Sequence, residues 1–79
     1  MELVLIFDSS HFAMRAFKII EKSSIKGEII PTPREISSEC GFALLIENQS
    51  KQELIDFCYE NKLNQTDIYT KEGNVYENN

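Results

Sequence analysis

Residues 2–20, ELVLIFDSSHFAMRAFKII, decide the fold. Glu2–Phe7 is an unbroken β-rich apolar run, the pattern of a strand that lies in the middle of its sheet with both faces covered. Asp8, Ser9 and Ser10 follow, and any of them can cap a helix by accepting a bond from a free amide. Phe12, Ala13, Ala16, Phe17, Ile19 and Ile20 then recur at three-to-four spacing, with Arg15, Lys18 and Glu21 between them. That spacing predicts an amphipathic helix of about three turns. Ser23 and Ser24 break it, and Gly27 precedes a second short strand, Glu28–Ile30.

The same logic extends along the chain. Pro31–Gly41 holds two prolines, two serines and a terminal glycine, and reads as a loop. Phe42–Ile46 is a second unbroken apolar run and hence a second central strand. Ser50-Lys51-Gln52-Glu53 fits the capping box, in which Ser and Glu satisfy each other's free backbone amides at a helix start. Leu54, Ile55, Cys58 and Phe57 are expected to form the apolar face of this helix, which should end near Asn61–Asn64. Thr66–Thr70 has strand-like residues, Lys71-Glu72-Gly73-Asn74 resembles a turn, and residues 72–79 read as a frayed tail or a short hairpin extension.

The resulting order, βαββαβ, is the α+β split βαβ or ferredoxin-like plan, with an antiparallel sheet and two helices on one face. Its first and third strands lie side by side in the middle, and these are the two strands that are apolar on both faces. In the same plan we place His11 at the end of the sheet opposite the Pro31–Gly41 loop. Leu3, Leu5 and Phe7 should point to one face and Val4 and Ile6 to the other, leaving an apolar patch that a homodimer through the open sheet face would bury.

Composition bounds the function. The chain has 79 residues, 42% hydrophobic and 27% charged, which suits one globular domain spanning 1–79. A domain this small buries only roughly 60% of its unfolded surface, so its stability is thin. Eight Lys and Arg stand against thirteen Asp and Glu, a net charge of −5 that disfavours nucleic acid and anionic membranes. Leu3–Phe7 is too short to span a bilayer and lacks the flanks of a secretory signal. Cys40 and Cys58 are therefore expected as thiols in a reducing cytoplasm. One His and two separated Cys match no zinc spacing, so neither a metal nor another cofactor is expected.

The Pro31–Gly41 loop is where the sequence becomes specific. Two antiparallel neighbours could be joined by a turn of about two to five residues, yet a longer proline-stiffened segment connects them. Cys40 stands at its end, beside Gly41, whose missing side chain admits positive φ and a close approach to the sulfur. Pro31-Thr32-Pro33-Arg34-Glu35-Ile36-Ser37-Ser38-Glu39-Cys40-Gly41 closely resembles the Pro-x-Pro-Arg-x-Ile-Ser-Ser-x-Cys-Gly signature of a small bacterial family described as selenium/sulfur carrier protein-like. Ser9-Ser10-His11-x-Ala13 is similar to that family's opening, and the resemblance runs to about Leu63.

The resemblance implies that Cys40 holds sulfur or selenium as a persulfide-type adduct, in a carrier rather than a turnover enzyme. It further implies a donor such as a pyridoxal-phosphate cysteine desulfurase or selenocysteine lyase, and an acceptor protein. Where the family often has a small, uncharged residue before the Cys, this chain has Glu39. Such a role needs a thiolate, and a free thiol with pKa about 8.5 is mostly protonated at neutral pH. Arg34 is the loop's one permanent cation, and Ser37 and Ser38 can donate hydroxyl bonds to a thiolate; Glu35 and Glu39 oppose them.

Other residues have plainer readings. Cys58, four residues after Leu54, reads as a core thiol. His11 sits in the first turn of a helix, where the macrodipole disfavours its charged form. Phe12 and Phe17 read as core, and Tyr69 and Tyr76 as strand residues with exposed hydroxyls. The alternative to a carrier is a non-catalytic interaction module, since this fold plan hosts many unrelated functions.

Overall fold

A computed structural model describes residues 2–37 and 41–78. Strands β1 (Glu2–Phe7), β2 (Lys26–Pro31), β3 (Phe42–Glu47), β4 (Gln65–Glu72) and β5 (Val75–Glu77) alternate with helices α1 (Ser10–Glu21) and α2 (Lys51–Asn61). The sheet is antiparallel throughout, in the order β2-β3-β1-β4-β5. The architecture is α+β with an open five-stranded sheet. The fifth strand, turned back at Gly73 (φ 62°), means that the fold is not the strict four-stranded ferredoxin-like plan. β2 and β4 also run longer than their sequences suggested, because sheet pairing recruits Lys26, Gly27, Gln65, Lys71 and Glu72 despite weak strand preference.

β1 pairs on both sides, Leu3 opposite Ile46 of β3 and Thr70 of β4. Its residues Leu3 to Phe7 are all at most 9% exposed. Alternation sends Leu3, Leu5 and Phe7 into the main core with Leu44 and Ile46 of β3, Ala13, Ala16 and Ile20 of α1, and Leu54 and Cys58 of α2. Both helices therefore cover one face. Phe12, Phe17 and Phe57 border that core partly buried, whereas Ile55, expected on the packed side of α2, is exposed. Position 55 falls beside the Leu54–Cys58 stripe, and a 3.6-residue period carries it past the edge of the contact.

The other face is also closed at its centre. Val4, Ile6 and Ala43 form a second buried cluster, with Ile36 of the long loop and Tyr69 and Tyr76 packed against it. Both tyrosines lie in strands, as expected, and their half-buried rings pack against this cluster.

Local signals set the helix boundaries. Ser9 accepts from the Phe12 amide at 3.3 Å at the start of α1. At α2 the capping box is complete: the Glu53 amide donates to Ser50 Oγ at 3.1 Å and the Ser50 amide donates to Glu53 Oε1 at 3.0 Å. The Ser50 backbone amide, and after it the Ser50 side chain, hold the Glu53 carboxyl below its ordinary pKa. α2 ends at Lys62, which adopts the left-handed conformation (φ 50°).

Three outcomes are expected. A Cβ at Gly27 would stand 2.8 Å from Ile46 Cδ1 and 3.3 Å from Ile20 Cγ2, both on buried side chains. Gly27→Val should therefore lower stability by about 1–3 kcal/mol in urea unfolding. Ser50→Ala should cost about 1 kcal/mol. Because the Glu53 pKa is depressed on folding, its contribution is present above its unfolded pKa and fades as pH falls through the folded value. The gap between wild type and Glu53→Gln should narrow correspondingly in acid.

Candidate functional site

Topology gathers the candidate residues at one end of the sheet. β1 and β2 both run antiparallel to β3, so they are parallel to each other and end at the same side. The β1–α1 junction and the long β2–β3 loop consequently emerge together. There a cleft of about 140 Å³ is lined by Ile6, Phe7, Asp8, Ser9 and Ser10 of the β1–α1 junction, by Thr32, Ser37, Gly41 and Phe42 of the loop and its neck, and by Thr66 of β4. This corrects the expected position of His11. It follows Ser10 directly in α1, so it lies at the loop's end of the sheet and not at the opposite one.

The loop is pinned at its neck and shaped by its prolines. The Thr32 amide donates to the Gly41 carbonyl at 3.0 Å, closing the loop where it leaves the sheet. The amides of Ile36 and Ser37 both donate to the Pro33 carbonyl, at 3.0 and 3.1 Å, which folds the segment into a turn. The turn carries Ile36 onto the second apolar cluster and anchors the loop's middle. Arg34 and Glu35 ride on the outside of the turn, exposed, and Arg34 does not line the cleft. Ser37 and Gly41 do line it. Ser38, Glu39 and Cys40 lie outside the described residues.

Thr66 completes the other wall. The β1–β4 register slips between Ile6 and Phe7, a bulge-type irregularity at this same end. At the slip the Ile6 carbonyl accepts from Thr66 Oγ1 at 3.2 Å. Bulges of this kind often re-aim side chains beside functional clefts. Ser9, Ser10, Thr32, Ser37 and Thr66 thus bring hydroxyls to one opening, at the positive end of the α1 dipole. Asp8 is the carboxylate in the lining.

The second thiol is elsewhere. Cys58 is 1% exposed in the main core, and desolvation pushes its pKa up to about 11. A thiol in that state is a poor nucleophile. Among the described residues no group of three or more His, Cys, Asp or Glu could hold a metal ion. No helix among them is long and apolar enough to cross a membrane.

Reading the loop alone misses Ser9, Ser10 and Thr66 as site residues. The signal that finds Ser9 and Ser10 is topological: in a β-helix-β crossover the first two strands are parallel, so whatever follows each one meets at the same end.

No curated protein and no solved structure matches this chain. A family model, described as "Putative Se/S carrier protein-like", matches residues 2–70, which take in the β1–α1 junction and the whole 32–41 loop. The chain belongs to this Se/S carrier protein-like family.

Proposed function

We propose that the protein is a small thiol carrier that accepts sulfur or selenium on Cys40 and passes it to an acceptor protein. The observation that carries the reading is the cleft that places Gly41, one peptide bond from Cys40, against the N-terminus of α1. A helix N-terminus favours a thiolate brought to it, since the unpaired amides and the aligned dipole stabilise negative charge. Ser37 and Gly41 stand at the cleft as the loop's support. Arg34, exposed on the turn, is assigned to the approach of an anionic partner rather than to the thiol.

The chemistry needs no cofactor in the carrier. The Cys40 thiolate attacks the outer sulfur of a donor persulfide. A new S–S bond forms at Cys40, the donor's S–S bond breaks, and the donor leaves as a thiolate. The sulfane sulfur changes hands with no net oxidation or reduction. The acceptor repeats the step in the other direction. A donor of the cysteine desulfurase or selenocysteine lyase type and a cytoplasmic setting fit this sequence of events. A loop pinned at its neck where it leaves the end of the sheet suits it too.

Incubation with a cysteine desulfurase and cysteine, followed by intact-mass measurement without reductant, should add sulfur to the wild type and not to Cys40→Ser. No adduct on the wild type, or an equal adduct on Cys40→Ser, contradicts the carrier reading. In the folded protein a maleimide should label Cys40 more than about tenfold faster than Cys58, whose thiol is buried with a pKa near 11. Equal labelling without denaturant would place the reactive sulfur elsewhere.

A further inference from the structure

The two helices present opposite charge on their outer faces. On α1 and its cap the exposed cations Arg15, Lys18 and Lys22 share one stripe with a single carboxylate, Glu21. None of the three is in an ion pair among the described residues, and Arg15 Nη1 donates to the Lys62 carbonyl at the end of α2 at 2.8 Å. On α2 the exposed face carries Glu53, Asp56 and Glu60, with one exposed cation, Lys62, at its cap. Each stripe also exposes apolar surface: Met14 on α1 at 42%, and Ile55 and Tyr59 on α2 at 38% and 84%. Ordinary solvated helix faces have no need of an 84% exposed tyrosine beside an exposed isoleucine one turn away.

We propose that two copies of this chain associate through their helix layers, α1 of each seated on α2 of the other. The charges select this occupant, because the basic apolar stripe of one copy complements the acidic apolar stripe of another. They also select the symmetry. α1 follows β1 and α2 follows β3, and these strands are antiparallel, so the two helices run in opposite directions. A two-fold axis parallel to the helices sets each α1 against an antiparallel α2, cation to carboxylate, with helix ends of opposite polarity side by side. An axis across the helices would instead stack α1 on α1 and bring like charges together.

The opposite sheet face is the weaker candidate for self-association. Its central residues Val4 and Ala43 are already 0% exposed within one chain, closed over by Ile36, Tyr69 and Tyr76. The helix-layer pairing leaves the end of the sheet with Thr32 and Gly41 uncovered and directs both copies of that end the same way. It is independent of the carrier reading, since it uses none of the cleft residues.

Charge exchange tests it. Sedimentation velocity should show a wild-type dimer that weakens as salt rises from about 0.05 M to about 1 M and screening shortens to about 3 Å. Arg15→Glu/Lys18→Glu and Asp56→Lys/Glu60→Lys should each be monomeric, and their equimolar mixture should form a one-to-one dimer. Far-UV circular dichroism checks that both variants are folded. A second measurement needs no variant: carbodiimide cross-linking of mixed isotope-labelled wild type should join Lys18 of one copy to Asp56 or Glu60 of the other. A wild type that stays monomeric at every concentration, variants that remain dimeric, or cross-links confined to the sheet face would each overturn the proposal.

Discussion

The two-sided burial of β1 is the constraint on which the rest depends. This strand hydrogen-bonds to β3 and β4 and sends alternate side chains to two separate apolar clusters. Burying a side chain of the Leu, Val, Ile or Phe type contributes about 1.5–3 kcal/mol against exposure. For so small a domain, the five buried apolar residues of β1 are a large share of what offsets chain entropy. With β1 fixed between β3 and β4, α1 must cross over the Leu3–Leu5–Phe7 face to bring β2 in beyond β3. The ends of β1 and β2 then coincide, and so do the segments that follow them.

Function enters through that coincidence. The 32–41 loop alone holds an arginine, two glutamates and several hydroxyls, a mixture with no clear bias toward a thiolate. Set beside the first turn of α1, the same loop faces the positive end of a helix and the hydroxyls of Ser9, Ser10 and Thr66. In the function proposed above, the electrostatic contribution the loop lacks comes from an element some twenty residues earlier. The Thr32–Gly41 hydrogen bond and the seating of Ile36 hold the loop in register with it. A pinned loop lowers the entropy lost when a partner protein engages it.

Much of this was legible from residues alone, for physical reasons that differ by element. β1 and β3 are readable because continuous apolar runs are rare outside doubly covered strands. α2 is readable because Ser50 and Glu53 satisfy each other's backbone amides, and Cys58 because it falls one turn from Leu54. The edges of β2 and β4 were not, since Lys26 and Glu72 join the sheet through pairing and not through preference. Ile36 and Tyr76 as a cover for the second face were invisible too, because both depend on contacts far apart in sequence. The position of His11 was a failure of topology rather than of propensity: the directions of the first two strands already fixed it.

The central claim is that Cys40 works at the end of the sheet where the long loop meets the start of α1. Amide chemical-shift mapping of the isotope-labelled protein before and after sulfur loading by a desulfurase addresses it most directly. Shifts should concentrate at Ser9, Ser10, Thr32, Gly41, Phe42 and Thr66, the residues that line the cleft. Shifts centred instead on the far end, at Ser23–Lys26 and Asn48–Ser50, would contradict the account.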